Sequence, residues 1–492
     1  MLRQVLIANR GEIAVRVIRA CRELGIGSVA VYSDADAEAV HTRLADRAVR
    51  IGPPPAADSY LRIDALLAAA RETGADAIHP GYGFLSERPA FAAAVADAGL
   101  IFVGPPADVM ARLGSKTAAR RLAADAGVPV VPGCTPVDQT PGALAAAASA
   151  VGYPVLIKPS EGGGGIGMKV VTRPEDLREA AEQARREAVA AFGDGTLYVE
   201  RLIEQPRHIE VQILADHAGG VVHLFERECS LQRRHQKIIE ESPSVAVTPA
   251  LRSRLGAAAV AVTRAAGYRN AGTVEFLVEG AGDSAPFYFL EVNARLQVEH
   301  PVTELVTGVD LVQAQLAVAA GAPVPWTQAS LTQRGHAIEA RVYAEDPARG
   351  HLPQAGPLRL YREPRMPGVR VDAGVQEGGT VSVHYDPLLA KVIASAETRE
   401  MARLRLIAAL RAFPILGVRT NIPYLLTLLS HPRVVEGRLD VGFLDADGAA
   451  LSGLASMPPA AHEVAAALAT HGSSTPTGLP ADPWVTLRGF HG

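Results

Sequence analysis

The sequence predicts an α/β (α+β) protein built from about three domains. Short apolar segments typical of strands alternate with alanine-rich segments of helical spacing, a pattern typical of this class. The 492 residues exceed what a single core usually holds, since one domain takes roughly 150 residues. With 48% hydrophobic and 20% charged residues, the composition is that of a globular protein with a sizeable core.

Residues 1–113 are predicted to form the first α/β domain. The turn at residues 8–12 lacks the G-x-G-x-x-G pattern of dinucleotide sites, so we interpret this domain as a scaffold. Further strand and helix segments follow, and the Gly-Pro-Pro sequence at 104–106 ends the series. The elements of the βαβ opening are predicted at residues 5–8 (strand), 12–24 (helix) and 28–32 (strand).

The second predicted domain, residues 114–330, contains a glycine loop within a predicted β-hairpin over residues 151–171. Four successive glycines at 162–165 allow the backbone to approach a ligand closely, and their N–H groups can surround phosphate oxygens. Lys158 before the loop and Lys116 at the start of a predicted helix could each supply a cation to a phosphate. No Gly-Lys-Ser/Thr follows, so this is not a Walker loop, and a flexible turn is the alternative interpretation.

Polar and apolar residues alternate without interruption from residue 291 to residue 299, which predicts an extended segment with its polar side chains on one face. Glu291 and Asn293 offer oxygen ligands that suit Mg²⁺, and the later members can bind and deprotonate an oxyanion. Glu275 lies in a second strand-like run that adjacent pairing would bring beside Glu291. A half-exposed strand of mixed charge is the alternative. The polar members are Glu291, Asn293, Arg295, Gln297 and Glu299.

Two further segments carry candidate binding residues. The basic run at 232–237 is interpreted either as an anion site facing the acidic strand or as a solvated face. Glu200 to Ile203 end an apolar strand, where backbone groups could pair with a nucleobase edge.

The third domain, residues 331–445, is predicted to be rich in strands at 335–346 and 381–395, with a helix at 399–412. A loosely packed Ala/Pro/Ser-rich tail is predicted to follow at 446–492.

Composition also excludes several classes of partner and site. A net charge of −4 and a pI near 6.4 give no electrostatic case for nucleic acid or an anionic membrane as the main partner. The three cysteines lack metal-ligand spacing, which argues against zinc and suggests a reducing compartment. No apolar run reaches the roughly 18 residues of a membrane span, and the N-terminus enters a strand directly. We therefore expect a cytoplasmic protein.

Several long motifs, taken in order, resemble the biotin carboxylases of the ATP-grasp superfamily. The resemblance covers residues 1 to about 445 and implies a Rossmann-like N-terminal domain, a central ATP-grasp domain with a lid at about 130–203, and a mixed β-rich C-terminal domain. The motifs are residues 7–14 (IANRGEIA), 79–87 (HPGYGFLSE), Lys158 with the glycine loop, 232–237 (QRRHQK), 291–301 (EVNARLQVEHP), 339–341 (EAR) and 385–387 (YDP).

The resemblance implies a role for each candidate residue. ATP would be contacted by Lys116, Lys158, His208, Gly162, Gly163, Gly164 and Gly165, with Glu200 and Ile203 at the adenine hinge. Two Mg²⁺ or Mn²⁺ ions would be held by Glu275, Glu291 and Asn293. Bicarbonate would be bound by Lys237, Arg295, Gln297 and Val298 and deprotonated by Glu299. Biotin would lie beside Arg341 and Tyr82, with Gln232 and His235 close by.

The implied reaction is the ATP- and bicarbonate-dependent carboxylation of biotin on a carrier protein through carboxyphosphate. It is the first half-reaction of an acetyl-CoA or other acyl-CoA carboxylase. One rival is another ATP-grasp ligase that joins a carboxylate to an amine, and the segment 295–299 argues against it. A second rival is a non-catalytic nucleotide-binding regulator. The complete set of ligands and base argues against that.

The resemblance also bears on partners. Arg19 and Glu23 match a dimer contact of the family, although at this spacing on one helix they could equally form a surface pair. Biotin attachment in the family uses a lysine flanked by methionines, and here the only Met-Lys pair is Met168-Lys169. No lysine occurs from residue 445 to residue 492, and the sequence at 482–484 resembles the connector after the carboxylase region of longer chains. We therefore expect the carrier protein and the carboxyltransferase to be separate subunits.

Three residues depart from the family pattern around the glycine loop. Ile166 stands where many members have arginine, and Glu161 stands where a small residue is usual. Pro159 stiffens the entry to the loop. These departures concern the closing of the lid and leave the predicted reaction unchanged.

Overall fold

The computed structural model describes residues 2–160, 167–234 and 236–454. Glu161, the glycines at 162–165, Ile166, His235 and residues 455–492 of the predicted tail lie outside this part of the chain.

The N-terminal region forms a five-stranded parallel sheet of order β3-β2-β1-β4-β5 with helices packed against it. Val5, Leu6 and Ile7 are fully buried, as expected of a parallel strand covered on both faces. The predicted βαβ opening is present to within one residue at each boundary. The elements are β1 (Gln4–Ile7), α1 (Gly11–Glu23), β2 (Gly27–Ser33), α2 (Val40–Leu44), β3 (Arg47–Gly52), α3 (Ile63–Thr73), β4 (Ala77–His79), α4 (Pro89–Asp97), β5 (Ile101–Phe102) and α5 (Ala107–Gly114).

The central region contributes a small antiparallel sheet of order β6-β9-β7-β8 and most strands of a large one. The hairpin predicted around the glycine loop is present, since β7 pairs antiparallel with β8. The elements are α6 (Lys116–Asp125), β6 (Gly133–Cys134), α7 (Pro141–Val151), β7 (Val155–Pro159), β8 (Lys169–Val171), α8 (Leu177–Phe192), β9 (Leu197–Arg201), β10 (Arg207–Ala215), β11 (Val221–Arg233), β12 (Gln236–Ser242), α9 (Pro249–Ala266), β13 (Asn270–Val278), β14 (Phe287–Asn293), α10 (His300–Thr307) and α11 (Leu311–Ala319).

The C-terminal region completes an eight-stranded sheet of order β14-β13-β10-β11-β12-β15-β22-β20. The predicted helix at 399–412 is α12. The predicted tail begins with a helix instead of a loose segment, because its alanine-rich start favours helix and Leu451 is buried. The elements are β15 (His336–Tyr343), β16 (Glu345–Asp346), β17 (Leu352–Pro353), β18 (Gly356–Pro357), β19 (Leu360–Tyr361), β20 (Val369–Ala373), β21 (Thr380–Val381), β22 (Leu388–Ala396), α12 (Arg399–Arg411), β23 (Ile415–Leu416), α13 (Ile422–Ser430), α14 (Pro432–Val435) and α15 (Phe443–Leu454).

The segment 291–299 differs from its prediction as one extended strand. Glu275 and Glu291 are indeed register partners on β13 and β14, but β14 ends at Asn293. An irregular turn follows, and α10 begins at His300 with Pro301 in its first turn. Proline is favoured at a helix start and cannot donate to a strand ladder, so the chain leaves the sheet before it.

Within the described part of the chain, no single helix is long and apolar enough to cross a membrane. Taken together, α10 and α11 have the length and apolar composition of a span, but the two helices meet at a bend of 96°.

Candidate active site

The predicted site residues converge on one cleft of about 800 Å³. The small sheet supplies one wall, and strands β10 to β15 supply the other. Glu299 lies outside the lining, fully buried, and Tyr82 also lies outside it. The predicted residues that line the cleft are Lys116, Lys158, Glu200, Ile203, His208, Gln232, Lys237, Glu275, Glu291, Asn293, Arg295, Gln297, Val298 and Arg341.

Lys237 is the electrostatic centre of the cleft. Its ammonium group donates to one carboxylate oxygen each of Glu210 (2.5 Å), Glu275 (2.9 Å) and Glu299 (2.6 Å). Burial alone would lower the pKa of Lys237, but the three carboxylates raise it well above its ordinary value. Glu210 has a second cation partner, because Arg227 donates to its other oxygen at 2.5 Å. The ammonium is therefore fixed and charged where an anion could bind.

Glu299 precedes the first turn of α10, and two cations bind its carboxylate. Oε1 accepts from Lys237 at 2.6 Å, and Oε2 accepts from Arg341 at 3.0 Å. Burial raises the pKa of Glu299, but the charges of Lys237 and Arg341 outweigh burial and hold it well below its ordinary value. The group is thus an ionised carboxylate that can accept a proton from an acid entering beside the two cations.

Arg341 connects Glu299 to the interior of the large sheet. Its Nε donates to Glu240 Oε1 at 2.6 Å, while a terminal nitrogen donates to Glu299. The guanidinium group still lines the cleft. A permanently charged group at this wall can stabilise negative charge that develops on a ligand.

Tyr82 is not brought into the cleft, because its hydroxyl donates to Glu12. The surrounding turn is fixed by Asn9, whose amide donates to the carbonyls of Pro80 (2.8 Å) and Tyr82 (2.7 Å). Gly81 has φ +63°, and a Cβ there would lie 2.8 Å from Asn9 Nδ2, so this close approach requires glycine. The role of Tyr82 beside biotin stays a prediction.

Arg295 is a further cation that lines the cleft. Its Nε donates to Glu87 at 2.8 Å, and its terminal nitrogens donate to Gln297 Oε1 and Asn293 Oδ1, both at 3.1 Å. Glu87 also accepts from the backbone of Ala294 at 2.9 Å, which anchors the turn after β14. These contacts orient the guanidinium group toward the cleft that Lys237 also lines.

The cleft is also lined by residues predicted to contact nucleotide, and their part of it is called the nucleotide end below. Lys158 forms an ion pair with Glu200 across the paired strands β7 and β9. The Glu200 side chain is therefore the counter-ion of Lys158, whereas the hinge prediction concerns backbone groups of the same segment. Ile203, only 6% exposed, adds an apolar surface there that suits a ring system.

The residues predicted to hold metal ions lie together and fit a divalent cation. Asn293 donates to Glu275 Oε1 at 2.8 Å, and His208 Nε2 lies 3.1 Å from Glu275 Oε2. Burial raises the pKa of Glu291, and the charge of Glu275 raises it further. Two adjacent carboxylates that repel in this way are the oxygen donors that Mg²⁺ requires, and the cation would remove the repulsion.

Sequence reasoning assigned no role to Glu87, Glu210, Arg227 and Glu240. Glu87 ends one of the motifs of the resemblance, so its position offered a signal. Glu210 and Arg227 lie opposite each other on β10 and β11, and no pattern in the sequence indicates that this pair supports Lys237. The contact between Glu210 and Arg227 forms because β10 and β11 pair in the sheet, and that pairing is not visible in the sequence.

Three consecutive parts of the chain match known family descriptions. "Biotin carboxylase, N-terminal domain" matches residues 1–110, "Carbamoyl-phosphate synthase L chain, ATP binding domain" matches 115–327, and "Biotin carboxylase C-terminal domain" matches 339–446. The chain belongs to the biotin carboxylase family. It is 50% identical over 444 residues to the biotin carboxylase of Halalkalibacterium halodurans, an alignment that covers 90% of this chain and 97% of that protein.

Longer relatives and solved structures agree with this membership. The alpha subunit of rice mitochondrial methylcrotonoyl-CoA carboxylase is 53% identical over 443 residues, which are 90% of this chain but only 60% of that subunit. The Campylobacter jejuni biotin carboxylase complex with β-γ-ATP has a TM-score of 0.87 at 41% identity, covering 91% of this chain and 99% of that one. The biotin carboxylase domain dimer of Hydrogenobacter thermophilus 2-oxoglutarate carboxylase, with MgADP and bicarbonate, has a TM-score of 0.86 at 42% identity and covers 92% and 99%.

Family membership confirms the predicted fold, enzyme class and cofactors. Members of the biotin carboxylase family are ATP-dependent ligases that act with ATP, Mg²⁺, bicarbonate and biotin. The relatives include subunits of methylcrotonoyl-CoA, propionyl-CoA and pyruvate carboxylases, so the family does not single out acetyl-CoA as the final acceptor.

Proposed function

We propose that this chain uses ATP and bicarbonate to carboxylate biotin on a carrier protein, the first half-reaction of a biotin-dependent carboxylase. The observation that carries the proposal is the bridge from Lys237 through the buried carboxylate of Glu299 to Arg341, since both cations line the cleft that the metal-type donors Glu275 and Glu291 also line. A base between two cations, beside a nucleotide end, suits the activation of a small oxyanion.

At the nucleotide end, Lys116, Lys158 and His208 would contact ATP. Glu275, Glu291 and Asn293 would hold Mg²⁺, which neutralises charge on the phosphates when it is bound. The Lys158–Glu200 pair keeps the lysine at the cleft wall, where a phosphate can replace the carboxylate as its partner.

At the centre, bicarbonate would lie between Lys237 and Arg295, with Gln297 and the backbone of Val298 beside it. Glu299 takes the proton of bicarbonate, and the freed oxygen attacks the γ-phosphorus as the bond to ADP breaks. The product, carboxyphosphate, then splits into CO₂ and phosphate. Each step leaves negative charge beside Lys237 and Arg295, which are held in place by other carboxylates.

At the far end, the phosphate takes the ureido proton of biotin, and the resulting nitrogen attacks CO₂ to form carboxybiotin. Arg341 would stabilise the enolate form of biotin that appears when this proton leaves. Gln232, 7% exposed and lining the cleft on β11, would lie beside the biotin ring. These residues do not determine the final acyl acceptor, since relatives with similar sequence identity to this chain belong to carboxylases of different acyl-CoA substrates.

The proposal is tested by ADP release from the purified chain. We expect release to require bicarbonate and to rise when free biotin is added, because biotin consumes the CO₂ and phosphate formed in the site. A panel of amines and carboxylates in place of bicarbonate is the control. ADP release that follows an amine and ignores bicarbonate would support another ATP-grasp ligase, and nucleotide binding without any ADP release would support a regulator.

We also propose that none of these 492 residues is the biotinyl lysine, and that the chain acts on a carrier that works with a carboxyltransferase. The one Met-Lys pair places Lys169 on β8, where its ammonium pairs with Glu187 at 2.8 Å. After expression with a biotin ligase, we expect the intact mass of the chain to match the unmodified sequence. A known carrier domain in the same cells is the positive control, and stoichiometric biotin on this chain would contradict the prediction.

A homodimer is the proposed assembly, supported by the dimer of the related 2-oxoglutarate carboxylase domain. Arg19 lies 3.7 Å from Asp372, and Glu23 accepts from Gln313 at 2.7 Å, so each has a partner other than its helix neighbour. We propose a cytoplasmic location as well, supported by the free thiols of all three cysteines.

A further inference from the structure

Two fully buried glutamates lie behind Arg341 and take no part in the chemistry proposed above. Glu240 on β12 and Glu339 on β15 are direct register partners in the antiparallel ladder, so their side chains stand next to each other on one face of the sheet. Both are 0% exposed. The face is covered by α10, since Val302 and Val306 pack on Ala337 of β15 and on Ile393 of β22, the register partner of Glu339.

Three of the four carboxyl oxygens of this pair have no hydrogen-bond partner within the described part of the chain. They are Glu240 Oε2 and both oxygens of Glu339. The fourth, Glu240 Oε1, accepts from Arg341 at 2.6 Å. Two adjacent carboxylates buried from bulk solvent cannot both stay ionised at low cost, and a proton between them would satisfy two of the orphan oxygens at once.

The nearby cations do not bind Glu339. Lys391, the closest cation on β22, instead donates to the carbonyl of Val298 at 2.8 Å and lies 3.2 Å from Glu12. Arg341 is bonded to Glu240 and Glu299. The charged groups that face the pair from the surrounding elements are Lys237, Glu299, Arg341 and Lys391.

We propose that Glu240 and Glu339 share one proton, and that this proton keeps the charge of Arg341 available to biotin. Glu339 is then a positioning residue that acts through Glu240. With the proton present, the pair carries one negative charge. Loss of the proton adds a second negative charge behind Arg341. That charge offsets the positive charge of the guanidinium group and so weakens its electrostatic stabilisation of the enolate on the cleft side. The inference rests on the proposed function for the role of Arg341.

The electrostatics of the two groups agree with a shared proton. Burial raises the pKa of Glu240 to about 7, against the opposing charge of Arg341. Burial also raises the pKa of Glu339 well above its ordinary value, and the charge of Glu240 adds to this shift. The folded chain therefore keeps a proton that the unfolded chain loses above pH 4.5, so the pair makes the free energy of unfolding fall as the pH rises above 4.5.

The test is the pH dependence of biotin carboxylation in Glu339→Gln. The amide can donate to Glu240 at every pH and so imitates the protonated pair. We expect kcat at neutral pH to stay within about threefold of the wild type, and the alkaline midpoint of kcat to move up by about one pH unit or more. The matched control is Glu241→Gln, which removes the neighbouring buried charge on the opposite face, bonded to His336 and Arg399, and should leave the midpoint unchanged.

A wild-type alkaline midpoint retained in Glu339→Gln would overturn the proposal and leave the residue a purely structural role. Bicarbonate-dependent ADP release without biotin is measured in parallel. If the wild type shows no such ADP release, the proposed function is refuted. If the release is present but the alkaline midpoint of kcat in Glu339→Gln is unshifted, only the shared proton is refuted.

Infrared spectra of the wild-type protein keep the proposal testable if the variant does not fold. We expect a protonated-carboxyl band that disappears over the same pH range in which kcat declines. In a folded variant this band is missing. A band that does not titrate, or that titrates at a pH distinct from the decline in kcat, would contradict the inference.

Discussion

Glu299→Gln is expected to lower bicarbonate-dependent ADP release by about 10²–10⁴-fold, because the amide cannot take the proton of bicarbonate. Nucleotide affinity should stay nearly unchanged. Glu299 contacts Lys237 and Arg341 but lines no part of the nucleotide end, and Lys237 keeps its bonds to Glu210 and Glu275. Steady-state rates and ATP binding by calorimetry measure the two quantities separately.

The opposite pattern would contradict the assignment of Glu299 as the base. If the variant loses ATP affinity but keeps its rate per bound ATP, the carboxylate organises the site and does not accept the proton. Glu210→Gln is the matched comparison, since it removes another carboxylate bonded to Lys237 without removing the base. We expect it to cost less activity than Glu299→Gln.

Arg341→Ala is expected to block carboxybiotin formation by about 10³-fold while bicarbonate-dependent ATP cleavage continues. The arginine lies on β15, in contact with Glu299, whereas the residues proposed to contact phosphate lie on α6, β7 and β10. Removing a stabilising cation at the biotin end should therefore uncouple the two parts of the reaction. Carboxybiotin trapped from labelled bicarbonate and ADP release are measured on the same samples.

Arg341→Ala also leaves the buried carboxylate of Glu240 without its cation, which can destabilise the fold by about 3–5 kcal/mol. The double variant Arg341→Ala with Glu240→Gln removes that charge and serves as the control for folding. If ATP cleavage falls as steeply as carboxybiotin formation in the stable double variant, Arg341 does not act at the biotin step alone.

Local patterns sufficed for the βαβ opening, the hairpin at β7 and β8, and the pairing of Glu275 with Glu291. Each depends on strand periodicity or on turns between neighbouring segments. The same periodicity was misleading beyond Asn293, where Pro301 starts a helix and the alternation no longer reflects a strand. Four of the five polar side chains still line the cleft, through a turn, and Glu299 is buried outside the lining.

The remaining contacts of the site could not be inferred because they join distant parts of the chain. Lys237 meets Glu299 across 62 positions and Arg341 meets Glu240 across 101. The hydroxyl of Tyr82 is turned toward Glu12 by the packing of the N-terminal turn. Sheet order decides these neighbours, and neither composition nor residue spacing along the chain encodes it.

The unbroken ladder of the eight-stranded sheet has a mechanical consequence. The metal-type residues on β14 and Arg341 on β15 belong to one hydrogen-bonded sheet, although a domain boundary was predicted between them near residue 330. A hinge at that boundary would have to break the ladder between β12 and β15. The distance between the metal-type residues and Arg341 is therefore held by the sheet, and we expect any closing movement around substrates to occur in the small sheet of β6 to β9.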